Sequence, residues 1–383
     1  MKDKFLFFFA IVISLSSVFS QQDYYPDAVW LTKAPSELGM NKFLLDSAVT
    51  TAIKSENKVE KDLRVSMLKS YIREPEYKII GPTRFRGGPS GLVIKDGYIA
   101  ASWGDIERVD MTFSVTKSVL STVAGLAVDQ GLIGDVNDPV NKYVWDGTFD
   151  GQHNMKITWQ HLLHQSSDWS GTLFGLHDWA DRPPKDGSPE QWKNRALVEP
   201  GTVFEYNDVR VNLLAYSLLH VWRKPLPAVI KEKIMDPIGA SSTWRWYGYD
   251  HSYINMDGIM MQSVSGGGHH GGGLFSSSLD LARVGLLFLR KGKWRNKQLI
   301  SEDWIRQATE PSPSNKAYGY MWWLNADQTW KSLSTDIFYA LGYGGNYIII
   351  DRKNDLVVVA RWMDGEKIEE VLSLITKSIV NKK

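Results

Sequence analysis

Ser114 and Lys117 stand three residues apart in TFSVTKSVLSTVAGLAVDQG (112–131), at the head of a run that soon turns apolar. Positions i and i+3 share one face of a helix, so the hydroxyl and the amine are within reach of each other. Such a pair suits nucleophilic catalysis. A serine hydroxyl is a poor nucleophile until a base takes its proton, and a lysine whose burial favours the neutral form is such a base. A helix start also offers backbone N–H groups and a positive dipole end to a developing oxyanion. The plain alternative is structural: Ser114 or Thr112 caps the helix, and Lys117 is incidental. S-x-x-K alone does not choose between them.

The elements that must hold this pair are legible on either side. SGLVIKDGYIAASW predicts a hairpin turning at Asp96-Gly97, and NYIIIDRKNDLVVVARWMD predicts another turning at Arg352–Asp355. Between them the apolar spacing predicts helices after Ser114 (ending at Gly131), at 157–164, at 209–222 and at 279–290, with a last amphipathic helix at Lys367–Lys377. Strands early and late with helices between imply an α+β fold: an antiparallel sheet built from both chain ends, flanked by helices, with a mainly helical lobe (roughly 132–250) inserted. No repeat or long linker divides the chain, and one catalytic domain over 21–383 is the simplest organisation.

Composition narrows the function further. The 383 residues include no cysteine, which excludes disulfides, cysteine metal sites and a lipid-modified cysteine anchor. Lys2 and Lys4 precede the apolar run FLFFFAIVISLSSVF and the small residues Ser16, Ser17 and Ser20. Residues 1–20 therefore read as a signal peptide, whose apolar run of fifteen is short for a span of about twenty residues, with no membrane span left after cleavage; an uncleaved N-terminal anchor is the alternative. The protein is then exported, to the periplasm or the medium. Cleavage removes two of 44 basic and one of 43 acidic residues, leaving 42 of each. With no basic stripe, nucleic acid is not an expected partner. Sixteen Trp and sixteen Tyr fill a core and supply rings for a cleft that takes organic substrates.

The segments DMTFSVTKSVLSTVAGLAVDQGLIGDVNDPV, ITWQHLLHQSSDWSG, PGTVFEYNDVRVNLLAYSLL, GGGLFSSSLDLARVGLLFL and LGYGGNYIIID occur in that order between about 85 and 362. Together they resemble the serine β-lactamase and penicillin-binding-protein superfamily, in its class C-related esterase and amide hydrolase branch; S-x-x-K is a motif of that superfamily. The resemblance implies that Ser114 is the nucleophile and that Tyr206 is the tyrosine of the Y-x-N element. Whether Lys117 or Tyr206 is the base stays open. Here Y-x-N becomes Tyr206-Asn207-Asp208. If Asp208 reaches Lys117, it favours the charged lysine and moves the base role toward Tyr206. Alternatively Asp208 caps the next helix or pairs with Arg210, and Asn207 supplies the amide.

The same resemblance places LGYGGN (341–346) at the family's K-T-G or H-x-G stretch, with Gly345 giving the second oxyanion N–H. Gly342 then stands where a cation usually holds the β-lactam carboxylate, a charge-assisted contact worth about 1.5–3 kcal/mol. Trp169, Trp179 and Tyr343 are candidate pocket walls. The expected function is a secreted serine hydrolase that opens ester or amide bonds of small molecules through an acyl-enzyme on Ser114, without cofactor or metal. A β-lactamase or D-peptidase is an alternative within this class, and a non-hydrolytic ligand-binding protein on the same scaffold is one outside it. His269-His270 lack the i, i+4 spacing of a helical zinc pair, His161 and His164 have no evident carboxylate partner, and no G-x-S-x-G elbow is present.

Overall fold

The computed structural model describes residues 23–380, so the expected signal peptide lies outside the described residues. Along the chain, the strands that frame the site are β1 (Ser90–Lys95), β2 (Tyr98–Trp103), β3 (Asp110–Met111), β4 (Arg245–Met256) and β5 (Ile259–Val264). They are followed by β6 (Gly273–Ser276), β7 (Trp323–Leu324), β8 (Phe338–Gly342), β9 (Asn346–Asp351) and β10 (Leu356–Arg361). The supporting helices are α1 (Lys42–Lys54), α2 (Leu63–Tyr71), α3 (Val115–Asp129), α4 (Trp159–Leu163), α5 (Asp208–Trp222), α6 (Ser278–Leu289) and α7 (Ile368–Ser378).

Asp96 and Gly97 both have positive φ, 52° and 84°, as a two-residue type I′ turn requires, and they join β1 to β2. The main sheet is antiparallel in the order β7-β8-β9-β10-β1-β2, so its centre joins the two ends of the chain. Val93 faces Val358 across β1 and β10, and Ile349 faces the same valine from β9. Both faces are covered. Leu92, Ile94, Ile348 and Val357 pack with the residues of α3 and α6, while Val93, Ile349 and Val358 pack with those of α1 and α7. This double burial explains why β9 and β10 read as unbroken β-branched runs instead of alternating. Ile368, Val371, Leu372 and Ile375 fasten α7, each contributing about 1.5–3 kcal/mol by burial.

A second sheet, β3-β6-β4-β5, stands beside the first. Arg361 ties the two together. Its buried guanidinium donates to Asn346 Oδ1 (2.6 Å), to the Ser276 carbonyl (2.9 Å) and to the Met111 carbonyl (2.9 Å). The mainly helical stretch after α3 contains α4 and α5, and the chain re-enters a sheet at Arg245, five residues before the lobe limit expected from sequence. Helix α3 runs through the middle of the molecule and is buried from Val115 to Ala127.

Candidate active site

Three segments meet at the start of α3. Ser114 is the N-terminal boundary residue of the helix, but its side chain makes no capping hydrogen bond. Thr112 Oγ1 is committed elsewhere, donating to the Leu274 carbonyl at 3.0 Å. The residue between them, Phe113, has φ 49°, a left-handed conformation that costs a non-glycine residue about 1–2 kcal/mol. The helix therefore starts on a strained turn with the Ser114 hydroxyl unspent. Lys117 Nζ, 1% exposed, donates to Ser114 Oγ at 2.8 Å and to Asp208 Oδ1 at 2.6 Å.

Asp208 and Asn207 divide the work at the start of α5. The Asn207 side chain accepts from Arg210 N at 3.0 Å and so caps the helix, while its Nδ2 donates to the Asp178 carbonyl. Asp208 is left to face Lys117. Arg210 pairs with Asp168, Asp178 and Glu205 instead of Asp208. The other oxygen of Asp208 meets Arg182 at 2.6 Å. Burial alone would raise the Asp208 carboxyl, but Lys117 and Arg182 outweigh it and hold the group well below the usual carboxylate range.

Arg182 continues the network outward. It binds both oxygens of Asp181 at 2.8 and 2.9 Å, and Asp181 in turn accepts from the Asp208 backbone N–H. Burial, reinforced by the Asp208 charge, raises the Asp181 carboxyl even though Arg182 opposes the shift. The second amino group of Arg182 lies 2.9 Å from His269 Nδ1, and His269 Nε2 lies 2.7 Å from Glu74. Burial first, and Arg182 second, push His269 down to about 4, so the ring is neutral at pH 7. Its Nε2–H then donates to Glu74 and its Nδ1 accepts from Arg182. Glu74, Asp181 and His269 are close enough to share a cation, but Arg182 already holds both oxygens of Asp181, and His269 Nε2 is committed to Glu74.

These groups open onto a cleft of about 350 Å³ lined by Ser114, Arg182, Tyr206, Trp323, Tyr343 and the glycines 342, 344 and 345. The Tyr206 ring stacks on Trp323 (5.9 Å, 23°) and faces both cations, with Lys117 Nζ 4.7 Å and the Arg182 guanidinium 5.4 Å from its centre. Tyr343 closes another wall. Its hydroxyl is within 2.9 Å of Ser66 and 2.8 Å of Ser70 on α2, and its ring meets Phe113 edge-on.

Other expected residues sit differently. Gly345 lies in the β8–β9 turn at φ 77°, but its N–H donates to the Gly342 carbonyl at 3.2 Å and is spent within the turn. Trp169 is 2% exposed and donates to the Thr148 carbonyl, so it is core and not a cleft wall. Trp179 is half-buried beside His177 and does not line the cleft. Gly342 is glycine for a local reason: a Cβ there would stand 2.1 Å from the Thr112 carbonyl oxygen and 3.2 Å from Ser114 N. The strand end is pressed against the Ser114 backbone, and no side chain fits at 342.

The sequence reading missed Arg182, Asp181, Glu74 and Gly267, and it weighed His269 only as a metal ligand. The signal for the first two was the extra carboxylate at 208, which needs a second cation once it is buried. For Gly267 it was the run of three glycines just before His269.

Among the described residues, no helix is long and apolar enough to cross a membrane. A family model described as Beta-lactamase matches residues 107–364. The 6-aminohexanoate-dimer hydrolase of Paenarthrobacter ureafaciens is 24% identical over 298 residues, covering 70% of each chain. The octameric penicillin-binding protein homologue from Pyrococcus abyssi superimposes with a TM-score of 0.55 at 19% identity, covering 83% of this chain and 77% of its own. EstCE1, a hydrolase with promiscuous acyltransferase activity, gives 0.56 at 15% identity, covering 88% and 99%. The match spans more than half of the residues and includes Ser114, Lys117, Tyr206 and the β8–β9 hairpin, and the chain belongs to the β-lactamase family of serine hydrolases.

Proposed function

We propose that the protein is an exported hydrolase that cleaves ester or amide bonds of small, uncharged substrates through an acyl-enzyme on Ser114. The observation that carries this reading is the 2.8 Å contact between Lys117 Nζ and a Ser114 hydroxyl that no cap employs. Lys117 acts as a proton donor in this arrangement, because an ammonium has three donors and no lone pair. The base role therefore falls to Tyr206. Ser114 Oγ forms the bond to the carbonyl carbon while its proton passes to Tyr206, which acts as the phenolate favoured by the facing Lys117 and Arg182 cations. That proton then goes to the departing alkoxide or amine, and water releases the acid by the reverse transfers. The Ser114 N–H, at the positive end of α3, faces the developing oxyanion.

Small uncharged substrates fit the cleft better than β-lactams or D-peptides. Gly342 admits no side chain, and the Arg182 guanidinium is shared among Asp181, Asp208 and His269. An incoming carboxylate would have to compete with two others for it. Export rests on residues 1–20 alone. A non-hydrolytic binding protein draws on the same ion pair, since Asp208 occupies the lysine.

Intact-protein mass spectrometry after exposure to a fluorophosphonate separates these readings. One adduct on the wild type and none on Ser114→Ala is expected. An adduct that persists on Ser114→Ala removes the nucleophile assignment, and no adduct on folded wild type favours the binding protein.

A further inference from the structure

Arg182 is absent from the S-x-x-K, Y-x-N and hairpin elements, yet it touches each side of the reaction centre. Its guanidinium meets Asp208 Oδ2 at 2.6 Å, while the opposite oxygen of Asp208 holds Lys117 at 2.6 Å and Lys117 holds Ser114 Oγ at 2.8 Å. It also faces the Tyr206 ring at 5.4 Å and lines the cleft. Behind it, His269 Nδ1 and both oxygens of Asp181 fix the plane of the fork. A guanidinium held on three sides is not free to bind substrate, but it is well placed to hold other groups still.

We propose, resting on the Ser114 hydrolase reading, that Arg182 is a positioning residue: it clamps Asp208 against Lys117 and braces Tyr206, with His269 aligning it from behind. Two carboxylates, Asp181 and Asp208, lie side by side here, and each would repel the other without the cation between them. With Arg182 in place, Asp208 stays ionised and fixes Lys117 in the geometry that serves Ser114. Without it, Asp208 takes up a proton more easily or turns away, and Lys117 loses its second anchor.

The groups that face Asp208 are Lys117 from α3, Arg182 and Asp181 from the loop before α5, and His269 and His270 from the glycine-rich loop 265–273. Tyr71, Tyr249 and Tyr318 also lie within range of its charge. Of these, Lys117 and Arg182 hold its carboxyl down most strongly. Losing Arg182 therefore moves the acid limb of the reaction to higher pH, and a lysine at 182 keeps it low.

The test measures the rate of fluorophosphonate labelling from pH 4 to 9 for wild type, Arg182→Gln and Arg182→Lys, with melting curves for each. Arg182→Gln is expected to label about 100-fold more slowly at pH 7, with its acid limb displaced upward. Arg182→Lys is expected to recover most of the rate and the wild-type limb. If Arg182→Gln does not fold, Arg182→Lys decides by its limb alone. A folded Arg182→Gln that labels like wild type overturns the proposal, as does an Arg182→Lys protein whose limb is displaced. A wild type that takes no label overturns the hydrolase reading itself, a result distinct from either.

Discussion

Gly267 lies directly against Asp208: a Cβ on this glycine would stand 1.7 Å from Asp208 Oδ1, and 2.2 Å from Lys117 Nζ. Position 267 thus covers the ion pair, and its lack of a side chain is what lets the pair close. Gly267→Ala should cost about 1–3 kcal/mol by overpacking. It should also slow fluorophosphonate labelling of Ser114 far more than that loss of stability explains. Labelling at the wild-type rate would show that the loop yields without disturbing Lys117.

Asp208→Asn restores the residue usual in the Y-x-N element, and by resemblance alone it should be harmless. The geometry says otherwise. Lys117 and Arg182 would keep their charges in a buried site with one carboxylate fewer. Breaking such a pair from one side costs about 3–5 kcal/mol. Urea denaturation should show the loss as a lower midpoint with an unchanged slope; equal midpoints would mean that water already screens the pair.

Gly342→Lys tests the absent cation from the other direction. The substitution would supply the charge that the family places in this element, but it has no room beside the Thr112 carbonyl and Ser114 N. The variant should lose labelling at Ser114 and gain no hydrolysis of a chromogenic cephalosporin. A gain of cephalosporin turnover would show that β8 can move aside.

Acid should weaken the fold before most carboxylates titrate. Burial, aided by Arg182 for His269 and by His161 for His164, pushes both histidines from 6.5 down to about 4. Between these values the unfolded chain takes up protons that the native state refuses, so stability falls as pH drops through the window. Each buried ring contributes up to about 3 kcal/mol. Melting temperature should therefore decline from about pH 6.5 to 4, and the decline should be shallower in His164→Gln; a flat profile would mean that the rings find water when charged.

Much of the frame was legible because it rests on local rules. Asp96-Gly97 names its own turn, and the apolar spacing of α3, α5, α6 and α7 places each within a residue or two of the structure. Helices α1 and α2 went unread, since α1 buries only Leu45, Ala48 and Ala52 and α2 only Leu63, Ser66 and Met67, and β4 and β5 mix polar residues with exposed apolar ones. In the site, Ser114, Lys117 and Tyr206 were named because they fall within ordered motifs. Arg182 and Glu74 were not, and His269 was weighed only as a metal ligand, because what joins them is a chain of contacts between segments far apart in sequence. Asn207 and Asp208 could not be told apart until the backbone showed which one turned toward the helix.

The sheet that joins both chain ends also sets a timetable. Strand β1 hydrogen-bonds to β10, and β8 and β9, which wall the cleft, come late in the chain. A growing polypeptide therefore carries Ser114 long before it has a cleft, and β1 waits with an open edge until Leu356–Arg361 arrives. On the proposed mechanism, Ser114 can react only once the chain is complete, and any product released early would be both inert and sticky at that edge.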